Sequence, residues 1–247
     1  MKDINIYDIS NKSGVSIATV SRVLNNSPKV SQETRDKVLK VIEEMNYVPN
    51  ALAQRLTRES KRTIGILYPD VSDVYMARSI FYVEQALSQA DYFSFFSCTG
   101  YVLADKKARL KMMLSQKVDG LILIGSSYTE TIAENHHYII EAAKSVPVIC
   151  INGMIEGNHV FNILCDDAQA TYQATKALIK TGVKGRLLYL YNRESYSNRK
   201  KIQGFLTAML EHNLPVFADS IRMCGDQVEA VLASVFEDGL HAPHVDG

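Results

Sequence analysis

From residue 62 onward one pattern recurs: a short, largely apolar run followed by a longer segment with helical periodicity. The runs are TIGILYP (63–69), YFSFFS (92–97), DGLILIG (119–125), VPVICI (146–151), FNILC (161–165) and GRLLYLY (185–191). Between them lie segments such as SDVYMARSIFYVEQALSQA, DKKARLKMMLSQK and DDAQATYQATKALIKTG. A strand without a polar face has no side to offer to water, so strands of this kind belong to a parallel sheet covered by helices on both faces. The expected architecture for this part is a doubly wound α/β fold.

Before residue 62 the period is different. Asn5 caps a first helix with Asp8 in its first turn, Ile6, Tyr7 and Ile9 begin its buried side, and Gly14 ends it. Ser16 opens a second helix whose inward stripe is Val20, Val23 and Leu24. Ser31 opens a third, SQETRDKVLKVIEEMNY, with Val38, Leu39, Ile42 and Met45 at core spacing and Pro49 as its stop. Three short helices can close around one small core.

Charge separates the same two parts. Residues 1–62 hold 11 Lys/Arg against 7 Asp/Glu, a net +4, and residues 63–247 hold 16 against 20, a net −4. The basic end is therefore the candidate for nucleic acid. A hydrophobic share of 47% is enough for a real core. The first ten residues contain no long apolar stretch and no run approaches a membrane span, so a cytoplasmic protein without membrane contact is expected. Cys98, Cys150, Cys165 and Cys224 lie far apart, without a CxxC pair or a Cys/His cluster, which points to reduced thiols and to no metal or cofactor. His136 and His137 read as solvated, and Asp166 and Asp167 as helix-start residues. No GxSxG, P-loop, GxGxxG or HExxH motif marks an enzyme.

A capped helix, a turn at Gly14 and a second helix from Ser16 make a helix-turn-helix, whose second helix presents its N-terminal residues to the major groove. Those residues are Ser16, Ile17, Ala18, Thr19, Ser21 and Arg22. A plain helical hairpin inside a larger domain has the same spacing, and the spacing alone leaves both open.

IYDISNKSGVSIATVSRVLNN, VSQETRDKVLKVIEEMNYVPNALAQRL, RTIGILYPDVSDVYMA and VDGLILIG together resemble the LacI/GalR family of bacterial transcription regulators, most closely over the first seventy residues. The resemblance implies a helix-turn-helix headpiece (1–48), a hinge helix and linker (49–61), and an effector-binding and dimerisation core (62–247) of the periplasmic-binding-protein type. It implies a repressor that binds double-stranded operator DNA, pseudo-palindromic in sequence, as a homodimer and answers to a small effector, a sugar or related metabolite. Family members continue past the point where FEDGLHAPHVDG stands, so the second lobe is expected to be incomplete, with strand edges uncovered. The alternative is a truncated or interfering fragment that associates with intact paralogues.

Within that frame each position has a chemistry. Ile17 and Ala18 stand where the family varies its specificity, and apolar side chains there suit thymine methyl groups. Arg22 can make a bidentate contact to guanine or contact a phosphate. Tyr7, Thr19, Ser21 and Asn25 are expected to anchor the DNA backbone. In the hinge, Asn50 caps, Ala53 keeps the helix thin, and Leu56 is either a minor-groove wedge or a solvent-exposed leucine of a linker helix. For the effector, the resemblance points to Asp73 and Tyr75 after the first strand and to Ser195 and Lys201 in NRESYSNRKKIQGF. The family often has arginine where Lys201 stands, so the usual planar fork to a sugar is replaced by a point charge, and a phosphorylated partner protein is a further implied signal.

Overall fold

A computed structural model describes residues 4–47, 62–182 and 186–224. The chain divides into two compact units, Met1–Lys61 and Arg62–Gly247.

The described residues of the first unit form three helices: α1 (Ile6–Ser13), α2 (Ile17–Leu24) and α3 (Gln32–Glu44). Asn5 and Asp8 form a reciprocal capping box at the start of α1: Asn5 Oδ1 accepts from the Tyr7 and Asp8 amides, and Asp8 Oδ2 accepts from the Asn5 amide at 2.9 Å. Gly14 at φ 69° lets the chain leave α1 in the left-handed region. Ser10 Oγ donates to the Val15 carbonyl at 2.6 Å, which locks the turn, and Ser16 then caps α2. Arg35 holds the other turn by donating to Asn26 Oδ1 and to the Ser27 carbonyl, both at 2.7 Å. The core is Ile9, Val20, Val23, Val38 and Val41. Two expectations are corrected here. Leu39 is 47% exposed because Val38 and Val41 fill the small core, and Tyr7 is 63% exposed rather than part of the buried side of α1.

The second unit begins with β1 (Thr63–Tyr68), α4 (Val74–Gln89), β2 (Phe93–Cys98), α5 (Leu103–Ser115) and β3 (Gly120–Ile124). Short 3-10 turns at Ser126–Tyr128 and Ala133–His136 lead into α6 (His137–Ala143), β4 (Val148–Ile151), β5 (Val160–Ile163) and α7 (Asp167–Lys180). After these come β6 (Tyr189–Tyr191), α8 (Tyr196–Glu211) and β7 (Ile221–Met223). All strands pair in parallel, in a five-stranded sheet of order β2-β1-β3-β4-β5 and a separate pair β6-β7.

Alternation within the apolar runs supplies both faces of the sheet. Leu121 and Leu123 of β3 pack with Leu67, Leu110, Met113, Ile139 and Val148 in one layer, whereas Ile122 and Ile124 pack with Ile66, Ile80 and Leu87 in the other. This is the doubly wound arrangement that continuous apolar strands require. The runs are equally apolar in sequence but not equally buried. Phe93 and Phe96 of β2, and Phe161 and Ile163 of β5, are exposed because these strands lie at the two edges. Strand β6 covers only the last three residues of its run, and β7 falls in IRM, a segment with no strand signature of its own.

Candidate functional site

Two surfaces are candidates for function, one in each unit. In the first, α2 presents Ser16, Ile17 and Ala18 of its N-terminal turn and Arg22 of its last turn to solvent, with Ile17 38% exposed, while Val20 and Val23 turn inward. A helix that exposes its first turn and its only arginine is shaped to lie in a groove rather than to pack in a core. Thr19, Ser21 and Asn25 are half-buried. Thr19 Oγ1 lies 2.9 Å from Ser16 Oγ, and Asn25 Nδ2 donates to Ser21 Oγ at 3.4 Å, so the expected anchors are pre-aligned in pairs. Tyr7 projects from the first turn of α1. Asn50, Ala53 and Leu56 lie outside the described residues. Arg35 and its grip on the α2–α3 turn were not singled out in the sequence, although an arginine near an Asn-Ser turn was a usable signal.

In the second unit a cavity of about 300 Å³ opens where strands end. Every strand from β1 to β6 is followed by residues that line it: Asp73 and Tyr75, at the start of α4, after β1, Tyr101 after β2, and Gly125, Ser126 and Ser127 after β3. Asn152 follows β4, Cys165 and Asp167 follow β5, and Asn192, Arg193 and Ser195 follow β6. Ligands of open parallel sheets bind outside the carboxyl ends of the strands, which is where this cavity lies. The four candidates Asp73, Tyr75, Ser195 and Lys201 all line it. Tyr101, Ser127, Asn152, Arg193 and Ser197 were missed, though the rule that residues just past each apolar run face a ligand would have found most of them.

The electrostatics of the cavity are mixed. Asp73 caps α4 by accepting from the Met76 amide at 3.1 Å. Burial, then Cys165 and the carboxylates of Asp167 and Asp73, push the Tyr75 hydroxyl up from its ordinary range, with Ser79 opposing. Arg193 stacks its guanidinium 3.5 Å from the Tyr101 ring centroid. Lys201 Nζ stands 3.9 Å from Asp167 Oδ1. Ser127 Oγ, Asn152 Oδ1, Asp167 Oδ2 and Ser197 Oγ are buried and lack a hydrogen-bond partner among the described residues. All four belong to residues that line the cavity.

A buried ion pair supports the wall. Lys106 on α5 is 2% exposed, and its ammonium donates to Glu130 Oε1 at 2.7 Å and to the Ser127 carbonyl at 2.6 Å. The same nitrogen lies 5.7 Å from the Tyr128 ring centroid, and Tyr128 Oη meets Thr99 Oγ1 at 3.0 Å. His136 is corrected from solvated to pinned, since its Nε2 lies 3.0 Å from the Glu130 carbonyl, while His137 remains exposed. Asp166 caps α7 by accepting from the Gln169 amide. Among the described residues no group of three or more His, Cys, Asp or Glu could hold a metal, and no helix is long and apolar enough to cross a membrane.

A compact three-helix reader followed in one chain by a parallel α/β unit with a cavity at its strand ends defines a DNA-binding transcriptional regulator with a sensory core. Residues 5–50 match the family model "Bacterial regulatory proteins, lacI family", and residues 61–246 match "Periplasmic binding proteins and sugar binding domain of LacI family". The chain is 43% identical over 241 residues to an HTH-type transcriptional regulator of Lachnoclostridium phytofermentans, covering 96% of this chain and 72% of that protein. It is 32% identical over 243 residues to catabolite control protein A of Priestia megaterium, covering 96% and 71%. Its fold is similar to the crystal structure of the lac repressor dimer bound to operator and the anti-inducer ONPF, with a TM-score of 0.80, 22% identity, and coverage of 96% of this chain and 69% of that one. The chain belongs to the lacI family of bacterial regulatory proteins.

Proposed function

We propose that this regulator is a repressor that binds a pseudo-palindromic operator as a homodimer through residues 1–61 and is controlled by a small metabolite held at the strand ends of its core. It acts by binding rather than catalysis, in the cytoplasm where the DNA is. The observation that carries the reading is the α2 surface: Ser16, Ile17, Ala18 and Arg22 exposed together on a helix whose opposite side is the core of the unit. Ile17 and Ala18 read thymine methyl groups, Arg22 reads guanine, and Tyr7, Thr19, Ser21 and Asn25 bind phosphates. Asn50, Ala53 and Leu56, in the hinge segment, add contacts to the operator. Asp73, Tyr75, Ser195 and Lys201 hold the effector. A cavity of about 300 Å³ at the strand ends favours a small molecule over the phosphorylated partner protein as the signal.

The test is selection of DNA from a random pool by the purified chain, followed by mobility shifts on the enriched sequence. Inverted half-sites are expected. Arg22→Ala is expected to relax preference at one base pair per half-site by about 1–3 kcal/mol. A uniform loss across all sequences, with a salt slope about one unit shallower, would assign Arg22 to a phosphate instead. Failure to enrich any sequence would refute operator binding.

A further inference from the structure

Lys106 stands where an apolar side chain would serve packing better. It falls on the buried stripe of α5 with Leu110 and Met113, the three being 2%, 3% and 3% exposed, at the i, i+4, i+7 spacing of a core face. Lys107 and Lys111 on the same helix are exposed. Desolvating an ammonium and a carboxylate offsets much of their attraction, and well-packed apolar residues in their place are often as stable or more so. What an apolar pair cannot do is grip a carbonyl.

The grip falls on one turn. The ammonium donates to the Ser127 carbonyl at 2.6 Å and to Glu130 Oε1 at 2.7 Å, and it stands 5.7 Å from the ring centroid of Tyr128 between them. The turn holds itself poorly. Its own backbone bonds, Tyr128 amide to Gly125 carbonyl and Thr129 amide to Ser126 carbonyl, are 3.5 and 3.2 Å long. On one side of the gripped carbonyl, Gly125 and Ser126 line the cavity together with Ser127. On the other, just past Glu130, Thr131 Oγ1 accepts from Arg199 Nη1 at 3.3 Å, and Arg199 belongs to α8, which supplies Ser197 and Lys201 to the facing wall. The charged nitrogen behind the turn is thus bonded between the part that faces the cavity and the part that receives α8.

We infer that Lys106 is a positioning residue of the cavity: its ammonium sets where Gly125, Ser126 and Ser127 stand and, through Thr131, where α8 meets them. It acts on the wall and not on the ligand. This assignment rests on the reading of the cavity as the effector site.

Amide proton–nitrogen NMR spectra of the full chain read the wall in its folded state. In Lys106→Met the Gly125, Ser126 and Thr131 amides, none of them hydrogen-bonded to Lys106, are expected to shift. Lys107→Met, exposed one residue away, should leave them in place. Lys106→Met/Glu130→Gln leaves no unpaired carboxylate, yet the Ser127 carbonyl still lacks its ammonium, so the shifts should persist in this more stable chain. Shifts confined to Ser127, Tyr128 and Glu130, or shifts that vanish in the double variant, overturn the positioning role and leave a pair that only stabilises. Neutral hexoses and disaccharides titrated into the same samples give a second readout. Binding that Tyr101→Ala abolishes should weaken on the order of tenfold in both Lys106 variants and hold in Lys107→Met. Such binding left intact in the Lys106 variants also overturns the role. A wall that shifts in a chain whose sugar binding is absent, or indifferent to Tyr101→Ala, upholds the role of Lys106 and overturns only the reading of the cavity as a sugar site.

Discussion

Replacing Lys106 by methionine isolates the energetics of the wall behind the cavity. Methionine keeps the length and packing of the lysine stem but removes the ammonium, leaving the Glu130 carboxylate and the Ser127 carbonyl without their donor. Breaking a fully buried pair from one side costs about 3–5 kcal/mol. Glu130 keeps 23% of its side chain exposed and so recovers part of its hydration, which lowers the expectation to about 2–3 kcal/mol. For a chain of this size that is a fall in melting temperature of roughly 5–10 °C. Urea unfolding followed by circular dichroism would measure it in Lys106→Met, Glu130→Gln and the double variant. The double variant should be more stable than Lys106→Met alone, with a coupling of about 2 kcal/mol, since it no longer leaves an unpaired carboxylate. A Lys106→Met chain within about 0.5 kcal/mol of wild type, or a coupling near zero, would show that the pair does not hold the wall.

Other perturbations follow from the same structure. Gly204→Ala places a Cβ 2.0 Å from the Ala168 carbonyl oxygen, and because that atom is backbone the clash should outweigh the roughly 1 kcal/mol of helix propensity gained, with a net loss of about 1–3 kcal/mol in urea unfolding. A more stable variant would mean that α7 and α8 can separate freely. Asn5→Ala removes the capping box of α1 and should destabilise residues 1–61 by about 1 kcal/mol, read as faster amide exchange in α1; unchanged exchange would contradict the cap. Burial pushes the Cys150 thiol up to about 12, so at pH 8 iodoacetamide should label Cys98 and Cys165, both exposed, and spare Cys150 in the folded chain. Because Cys165 lines the cavity, a bound effector should slow its labelling.

Much of the fold was legible because period and cap residues report on local structure. The stripe Val20, Val23 and the caps Asn5, Ser16 and Ser31 need only neighbours within a few residues. Leu39 was misplaced because helical spacing marks a wide stripe, and only the size of the core decides how much of it is covered. Edge and central strands read alike, since FNILC and DGLILIG differ in what lies beside them rather than in composition. The candidates Asp73, Tyr75, Ser195 and Lys201 came from resemblance, and their convergence depends on loops from different strands meeting in space. Lys106 was the least legible residue. In DKKAR it looks like any solvated lysine, and its partner lies 24 positions away.

Because the cavity is assembled from the residues that leave the strands, while the strands fill their own layers with apolar side chains, the recognition proposed for this cavity and the stability of the sheet draw on separate sets of positions. A lineage carrying this fold can exchange the groups at Tyr101, Asn152 or Lys201, one at a time, without reopening the packing of the sheet. Responsiveness to a new metabolite then requires few steps, each taken on a scaffold that still folds.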